Sequence, residues 1–212
     1  MTDVSLDTGS PELAEGYVTD SGVRGRLIYD TLDSAWAPRT GTKISLETLS
    51  PLRTFGADVE YTRALLSAQT AYSFGRNTVL GRLMAGSSFD KTMPYYDQFA
   101  LGGFLRLSGY AIDQFRGSDM AFGGLTYYRQ IAELPPPIGR GLYLGGSFDV
   151  GWLSAGEIRD SGTGGNVVLS PEATRYGGSL FFGSDSWIGP AYLGFGLSGD
   201  GNSAIYVLIG RP

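Results

Sequence analysis

The sequence lacks the side chains on which most catalytic and metal sites depend. It contains no cysteine and no histidine. These absences exclude disulfide frameworks, thiolate nucleophiles, zinc–thiolate sites and histidine-based catalytic triads. Charged residues make up 17% of the 212 residues, whereas an average soluble domain has about 25%. The composition therefore favours neither a histidine-dependent enzyme nor an ordinary soluble domain with a charged surface.

Long apolar runs, helical periodicity and basic clusters are also missing. No apolar stretch reaches the ~18 residues of a transmembrane helix. The net charge of −5, without any basic run, argues against a nucleic-acid partner. Residues 1–19 show neither the charged nor the apolar region of a signal peptide, so we interpret them as an N-terminal remnant or linker. We expect any export signal to lie upstream.

Glycine and a two-residue alternation are what the sequence has in abundance. There are 33 glycines, and aromatic residues make up 13% of the chain. In 140–152 the large apolar side chains fall on one face, while glycine, small polar and acidic residues fall on the other. Such alternation is typical of β-strands with two different surroundings. The strand-like segments are 22–30, 42–48, 57–74, 77–89, 118–132, 140–152, 173–183, 190–198 and 203–211.

The length of these segments and their connections favour a barrel. A tilted strand needs about 9–11 residues to cross a bilayer, and most of the segments reach that length. Short connections alternate with long glycine-rich ones at 90–116 and 154–172, as in outer-membrane barrels. We therefore predict an all-β fold in which residues 20–212 form part of an antiparallel transmembrane β-barrel. The alternative is a soluble β-sandwich binding module, but the polar faces carry arginine, aspartate and glycine, whereas a sandwich usually carries Lys, Glu and Thr there.

Three stretches carry a family resemblance. They are "LGGFLRLSGY" (101–110), "GLYLGGSFDVGWL" (141–153) and "YDTLDSAWAPRTGT" (29–42). Together they resemble the C-terminal barrel of the BamA-like surface-antigen superfamily of outer-membrane proteins. The form "LGG-x-L-x-LSGY", with the ending "GPAYLGFGLSGDGNSAIYVLIGRP", is similar to the barrels fused to patatin-like phospholipase autotransporters.

The resemblance implies a barrel of about 16 strands, of which this chain supplies the C-terminal portion of about nine. It also implies that the loop at about 90–116 folds back into the lumen, where Asp149 on a strand is its partner. The tip of that loop would be Arg106, Leu107, Ser108, Gly109 and Tyr110. The periplasmic turn motif of the family would be Asp30, Pro38, Arg39 and Gly41.

The tip motif departs from the family at one position. Members of the family carry an arginine before the tip glycine, and that arginine pairs with the strand aspartate; this chain has Ser108 there. Arg106 could reach Asp149 instead, or Ser108 could hydrogen-bond it directly. A third alternative is that Asp149 pairs with another lumenal arginine, such as Arg82 or Arg129.

The resemblance implies a location in the bacterial outer membrane and a physical function. We expect the segment to anchor an N-terminal patatin-like lipase passenger and to help move it across the membrane. The alternative is a pore that inserts or secretes other proteins. The implied partners are outer-membrane lipid, the barrel-assembly machinery and the passenger. A nine-stranded sheet leaves two open edges, so we also expect aggregation or closure with a second copy as a homodimer.

We expect no catalysis from this segment, and no cofactor or metal. A patatin lipase needs a G-x-S-x-G nucleophile elbow on a strand-to-helix turn. The nearest matches are "GGSFD" (145–149), "GGSLF" (177–181) and "GLSGD" (196–200), and each lacks the final glycine. All three also fall in predicted strands. A phospholipase domain would therefore lie upstream.

Overall fold

The structure is all-β. The computed structural model describes residues 21–35, 37–89, 93–135, 139–159, 166–186 and 189–210. Within these ranges no helix is long and apolar enough to cross a membrane. The strands are β1 (Gly22–Asp30), β2 (Gly41–Pro51), β3 (Arg63–Phe74), β4 (Asn77–Ser88), β5 (Phe99–Leu101), β6 (Phe115–Gly117), β7 (Asp119–Glu133), β8 (Gly139–Leu153), β9 (Gly156–Arg159), β10 (Asn166–Ser170), β11 (Ala173–Ser186), β12 (Gly189–Ser198) and β13 (Ser203–Ile209).

Nine of these strands form one antiparallel sheet in the order β1-β2-β3-β4-β7-β8-β11-β12-β13. Each strand pairs with the next long strand along the chain, so the sheet is a meander with β1 and β13 at its edges. The remaining four strands form two short ladders, β5–β6 and β9–β10, within the loops. The predicted antiparallel sheet of about nine strands is confirmed.

The register of the sheet aligns the alternating residues into continuous rows. Opposite residues of neighbouring antiparallel strands share a face, so each row runs around the wall. An apolar row joins Leu46, Leu66, Ala85, Ala121 and Trp152. A polar row on the opposite face runs through Asp30, Lys43, Gln69, Arg82, Gly124, Asp149 and Gly177. We call the face with the polar row the inner face, because the loop at 102–114 packs against it.

The outer face is apolar and uncovered. Leu83 is 64% exposed, Leu180 70% and Ile205 75%. The only other sheets within the described ranges are the two short ladders, and neither covers this face. A sandwich buries its apolar face against a second sheet, so the sandwich alternative is wrong. An apolar band of this kind is stable when it faces lipid.

Two segments differ from the prediction. The strand predicted at 57–74 begins only at Arg63, because the preceding residues fold over the sheet end. There Glu60 accepts a hydrogen bond from the Arg53 backbone at 3.0 Å, and the Tyr61 hydroxyl donates to Asp97 of the long loop. The stretch 154–172, predicted as a plain loop, contains the β9–β10 hairpin. Both differences arise from contacts between loops, which strand periodicity does not encode.

The core lies between the inner face and the long loop. One cluster joins Leu101, Leu107 and Tyr110 of the loop region to Met120 and Leu153 on the strands. The second joins loop residues Phe104 and Leu105 to the strand residues Ala71, Leu80, Tyr128, Tyr143 and Phe181. The loop therefore supplies packing in both clusters that the sheet by itself lacks.

The different surroundings of the two faces can be tested with one charge placed on each. Leu83→Arg puts a charge in the lipid-facing band of β4, and Ser45→Arg puts the same charge on the inner face of β2, two residues from Glu47. In lipid vesicles, Leu83→Arg should lower the free energy of unfolding by about 2–4 kcal/mol. Ser45→Arg should change it by less than about 1 kcal/mol. Urea titration read by heat-modifiable gel migration measures both, and equal losses would contradict the assignment of the faces.

Candidate functional site

The docked loop has an unusual backbone between β5 and β6. Leu105 and Leu107 have φ angles of 60° and 73°, which are uncommon for residues with a side chain. Both side chains are buried, at 5% and 0% exposure. A hydrogen bond from the Gly102 amide to the Arg106 carbonyl, 2.9 Å long, closes the segment 102–106, which contains Leu105. Strained residues persist where their surroundings determine the conformation, so packing on the sheet holds this loop in shape.

The tip of the loop contacts Asp149 on β8 through Ser108. The Ser108 hydroxyl donates to Asp149 Oδ2 at 3.0 Å, and the Ser108 amide donates to the same atom at 3.5 Å. Ser147, two residues along the strand, adds a third donor at 3.2 Å. Ser108 and Asp149 are both completely buried. The Ser108 oxygen also accepts from the Leu105 amide at 3.1 Å, which links the strained turn to the carboxylate.

The arginines considered from the sequence take different positions. Arg82 Nη2 lies 3.7 Å from Asp149 Oδ1, a long ion pair across the inner face. Arg106 turns away and donates to the Ala100 carbonyl at 3.1 Å. Arg129 pairs across the sheet with Asn77 and therefore lies on the outer face. Of the alternatives, the structure shows the direct hydrogen bond from Ser108 to Asp149, together with the long ion pair from Arg82. The role of these contacts in holding the loop stays a prediction.

Glycines allow the loop to lie directly on the sheet. A Cβ on Gly177 would stand 2.0 Å from the Ser108 carbonyl oxygen, and one on Gly196 would stand 2.6 Å from the Gly109 amide. On the loop side, a Cβ on Gly109 would stand 2.2 Å from the Ser198 amide. These distances are far below van der Waals contact, so a side chain at any of the three would push the loop away. The glycine content of the inner face thus has a local structural cause.

An aromatic cluster fixes the other side of the loop. Phe104 packs edge-on against Phe181, with ring centres 5.6 Å apart. It also lies 5.6 Å from Tyr192 and 5.4 Å from Tyr206. Such pairs each contribute about 0.5–1.5 kcal/mol beyond their buried area. The loop is therefore held by apolar packing at Phe104 and by hydrogen bonds at Ser108.

Tyr206 and Asp200 extend the site, and neither residue was predicted from the sequence. The Tyr206 hydroxyl accepts from the Gly109 amide at 2.9 Å and donates to the Tyr110 carbonyl at 2.8 Å. The Tyr110 hydroxyl donates to Asp200 at 2.7 Å. Burial, and next the hydrogen bond to Asp200, raise the pKa of Tyr110 above its ordinary value. The available signal was Tyr206 itself, an aromatic residue that alternates with the lipid-facing Ile205 and Val207 and therefore points to the inner face.

The predicted turn motif lies at the opposite end of the strands. Asp30 forms an ion pair with Lys43 at 2.6 Å. Arg39 donates to the carbonyl of Gly75 in the next turn at 2.6 Å, and the Pro38 carbonyl accepts from the Tyr128 hydroxyl. Gly41 has a φ of 106°, a conformation that favours glycine.

Asp33, which was not predicted, accepts from the amides of Arg39 and Thr40 at 2.8 and 3.1 Å.

The turn motif and the loop tip do not form one site. A cavity of about 340 Å³ lies between the turn and the loop, and its lining includes Pro38 of the turn, Arg82 of β4 and Leu105 of the loop.

The fold and this site define a class of protein. An antiparallel meander with an apolar outer face and a loop packed on its inner face forms part of a transmembrane β-barrel. An Omp85 superfamily domain model matches residues 5–211. The chain belongs to the Omp85 superfamily, whose members are outer-membrane proteins. No curated protein matches the chain at a significant level. The BamA-like resemblance is confirmed at this level, and the patatin-linked subgroup stays a prediction.

The contribution of Ser108 can be measured by proteolysis of the loop. Ser108→Ala removes the hydroxyl that bonds Asp149 and should weaken docking by about 1–3 kcal/mol. Trypsin cleavage after Arg106 should then become roughly tenfold faster, because cleavage follows the population of the released loop. Ser67→Ala, on the inner face of β3 and three strands away from Asp149 in the sheet, is the matched control and should leave the rate unchanged. Equal cleavage of Ser108→Ala and wild type would show that this contact does not hold the loop.

The close approach at Gly177 leads to a second expectation. Gly177→Ala introduces a methyl group 2.0 Å from the Ser108 carbonyl oxygen. The resulting overlap should cost about 1–3 kcal/mol and displace the loop from β11. Gly123→Ala is the control, since its methyl group would meet its nearest neighbours at 3.7 Å, an ordinary contact. Urea unfolding combined with trypsin cleavage separates the two variants, and identical behaviour would contradict the close approach of the loop to the strand.

Proposed function

We propose that this segment is the membrane anchor of a patatin-like lipase carried upstream in the full-length chain, and that it helps to move that passenger to its final side of the membrane. The superfamily membership supplies the outer-membrane context. The resemblance of "LGG-x-L-x-LSGY" and of the C-terminal stretch to patatin-linked barrels supplies the passenger. The proposal assigns the segment a physical role and puts the phospholipase chemistry in the upstream domain.

The observation that carries the anchoring role is the fit of the loop to the inner face. Ser108 and Asp149 are fully buried against each other, and glycines at 177 and 196 bring the loop backbone onto the strands. Phe104 fills the space between Phe181 and Tyr206. A loop packed this closely occupies the inner face of β8 and β11–β13, which supports a stable anchor more than an open conduit.

One observation favours the second candidate, a barrel that inserts or secretes other proteins. Within the described residues, Asp149 Oδ1, Arg82 Nε and Arg106 Nε are buried without a hydrogen-bond partner. Buried polar atoms typically cost about 1–3 kcal/mol each when they find neither a protein partner nor water. Release of the loop would open these atoms to water. A loop that moves is what a transporting barrel requires.

The test is to express the full-length chain in a Gram-negative host and to locate the upstream domain. Under the anchoring proposal, that domain is a lipase that fractionates with the outer membrane. Leu83→Arg, which weakens the lipid-facing band, should release it, while Ser108→Ala should leave it membrane-bound. Fractionation with heat-modifiable migration and a lipase assay are the readouts. Tandem periplasmic domains upstream, together with loss of secretion or insertion of a second protein in Ser108→Ala, would instead establish the transport function.

A further inference from the structure

One hydroxyl group, that of Tyr206, forms hydrogen bonds between the terminal strand β13 and the loop. Tyr206 points from β13 toward the inner face, where its hydroxyl accepts from the Gly109 amide and donates to the Tyr110 carbonyl, at 2.9 and 2.8 Å. One phenol thus bonds two consecutive backbone positions at the tip of the loop. Phenylalanine would preserve the ring but leave both backbone groups without this partner.

Other contacts join the loop to the same hairpin. Tyr110 donates to Asp200 in the turn between β12 and β13, at 2.7 Å. The Phe104 ring lies 5.4 Å from the Tyr206 ring. The backbone of Gly109 approaches Ser198 at the end of β12 so closely that a Cβ would not fit. The loop therefore touches both strands of the hairpin and its turn.

The strand β13 has few other contacts. It is seven residues long, whereas β7 and β8 each have 15. Among the described strands it pairs only with β12, from Ser203 opposite Leu197 to Ile209 opposite Ala191. Its outward side chains Ile205, Val207 and Ile209 are exposed. The cover of β13 on the inner side is thus supplied in large part by the loop, through Tyr206.

We propose that Tyr206 couples the position of the loop to the order of the β12–β13 hairpin. With the loop docked, the phenol and Asp200 hold β13 against the inner packing. When the loop leaves, the Tyr206 hydroxyl loses both partners, and among the described strands β13 then keeps only its ladder with β12. Coupling between two sites is reciprocal, so loosening β13 must also release the loop. The inference goes beyond anchoring or transport, since it concerns a linkage within the barrel wall that either function would contain.

Hydrogen exchange on the full-length protein in lipid vesicles tests this linkage. Tyr206→Phe should accelerate exchange roughly tenfold in peptides covering 102–112 and also in peptides covering 203–209. Tyr72→Phe, which removes an exposed phenol from the outer face of β3, is the matched control and should change neither region. Heat-modifiable migration verifies that each variant is folded. Faster exchange in 203–209 alone, with the loop unaffected, would overturn the proposal.

The reciprocal variant tests the same linkage from the other side. Ser108→Ala weakens the loop at Asp149, on β8, and removes no contact with a residue of β13. Coupling predicts that exchange in 203–209 becomes several-fold faster in this variant, a result that a purely local role of Tyr206 would not produce. A released loop with unchanged exchange in β13 would refute the linkage. This arm decides the question even if Tyr206→Phe does not assemble.

Discussion

Every backbone N–H and C=O in a hydrocarbon layer must be paired within the protein, and the rest of this structure depends on that requirement. The chain meets it with long antiparallel strands joined in sequence order, so that each strand satisfies its neighbour. Because successive side chains point to opposite faces, the same ladder separates an apolar surface from a polar one. Leu83 and Leu180 can then be exposed without a covering sheet, since lipid supplies the apolar surroundings. Membership of the Omp85 superfamily agrees with this arrangement.

The inner face has the opposite requirement, since it must hold a loop instead of meeting lipid. Glycine at 177 and 196 removes the side chains that would keep the loop backbone away, and Phe104 and Leu105 fill the space between the strands. Asp149 is buried in this packing and is satisfied mainly by the hydroxyl of Ser108. A neutral donor, the Ser108 hydroxyl, therefore stands at the position where the sequence resemblance implied an arginine. Arg82, on β4, supplies the nearest positive charge from the wall itself.

Two tendencies coexist in the docked loop. Aromatic packing and close backbone approach favour a fixed loop, whereas buried atoms of Arg82, Arg106 and Asp149 lack hydrogen-bond partners within the described residues. The attachment through Tyr206 connects this balance to the edge strand β13. A fixed loop suits a barrel that holds a passenger, and a loop near balance suits a barrel that must open. Both proposed functions use the same wall, so the experiment on the full-length chain is what distinguishes them.

The sequence by itself determined the strands, their two faces and the superfamily, because a period of two and a distinctive motif are local signals. It left the partner of Asp149 open among Ser108, Arg106, Arg82 and Arg129. That choice depends on how side chains from distant parts of the chain are oriented, and Ser108 and Asp149 are 41 residues apart. It also missed Tyr206, which lies 97 residues from Gly109 along the chain, and it began β3 too early at 57. These features were decided by the tertiary structure alone, because folding of the sheet brings distant strands and loops together and only then fixes which donors, acceptors and rings can meet.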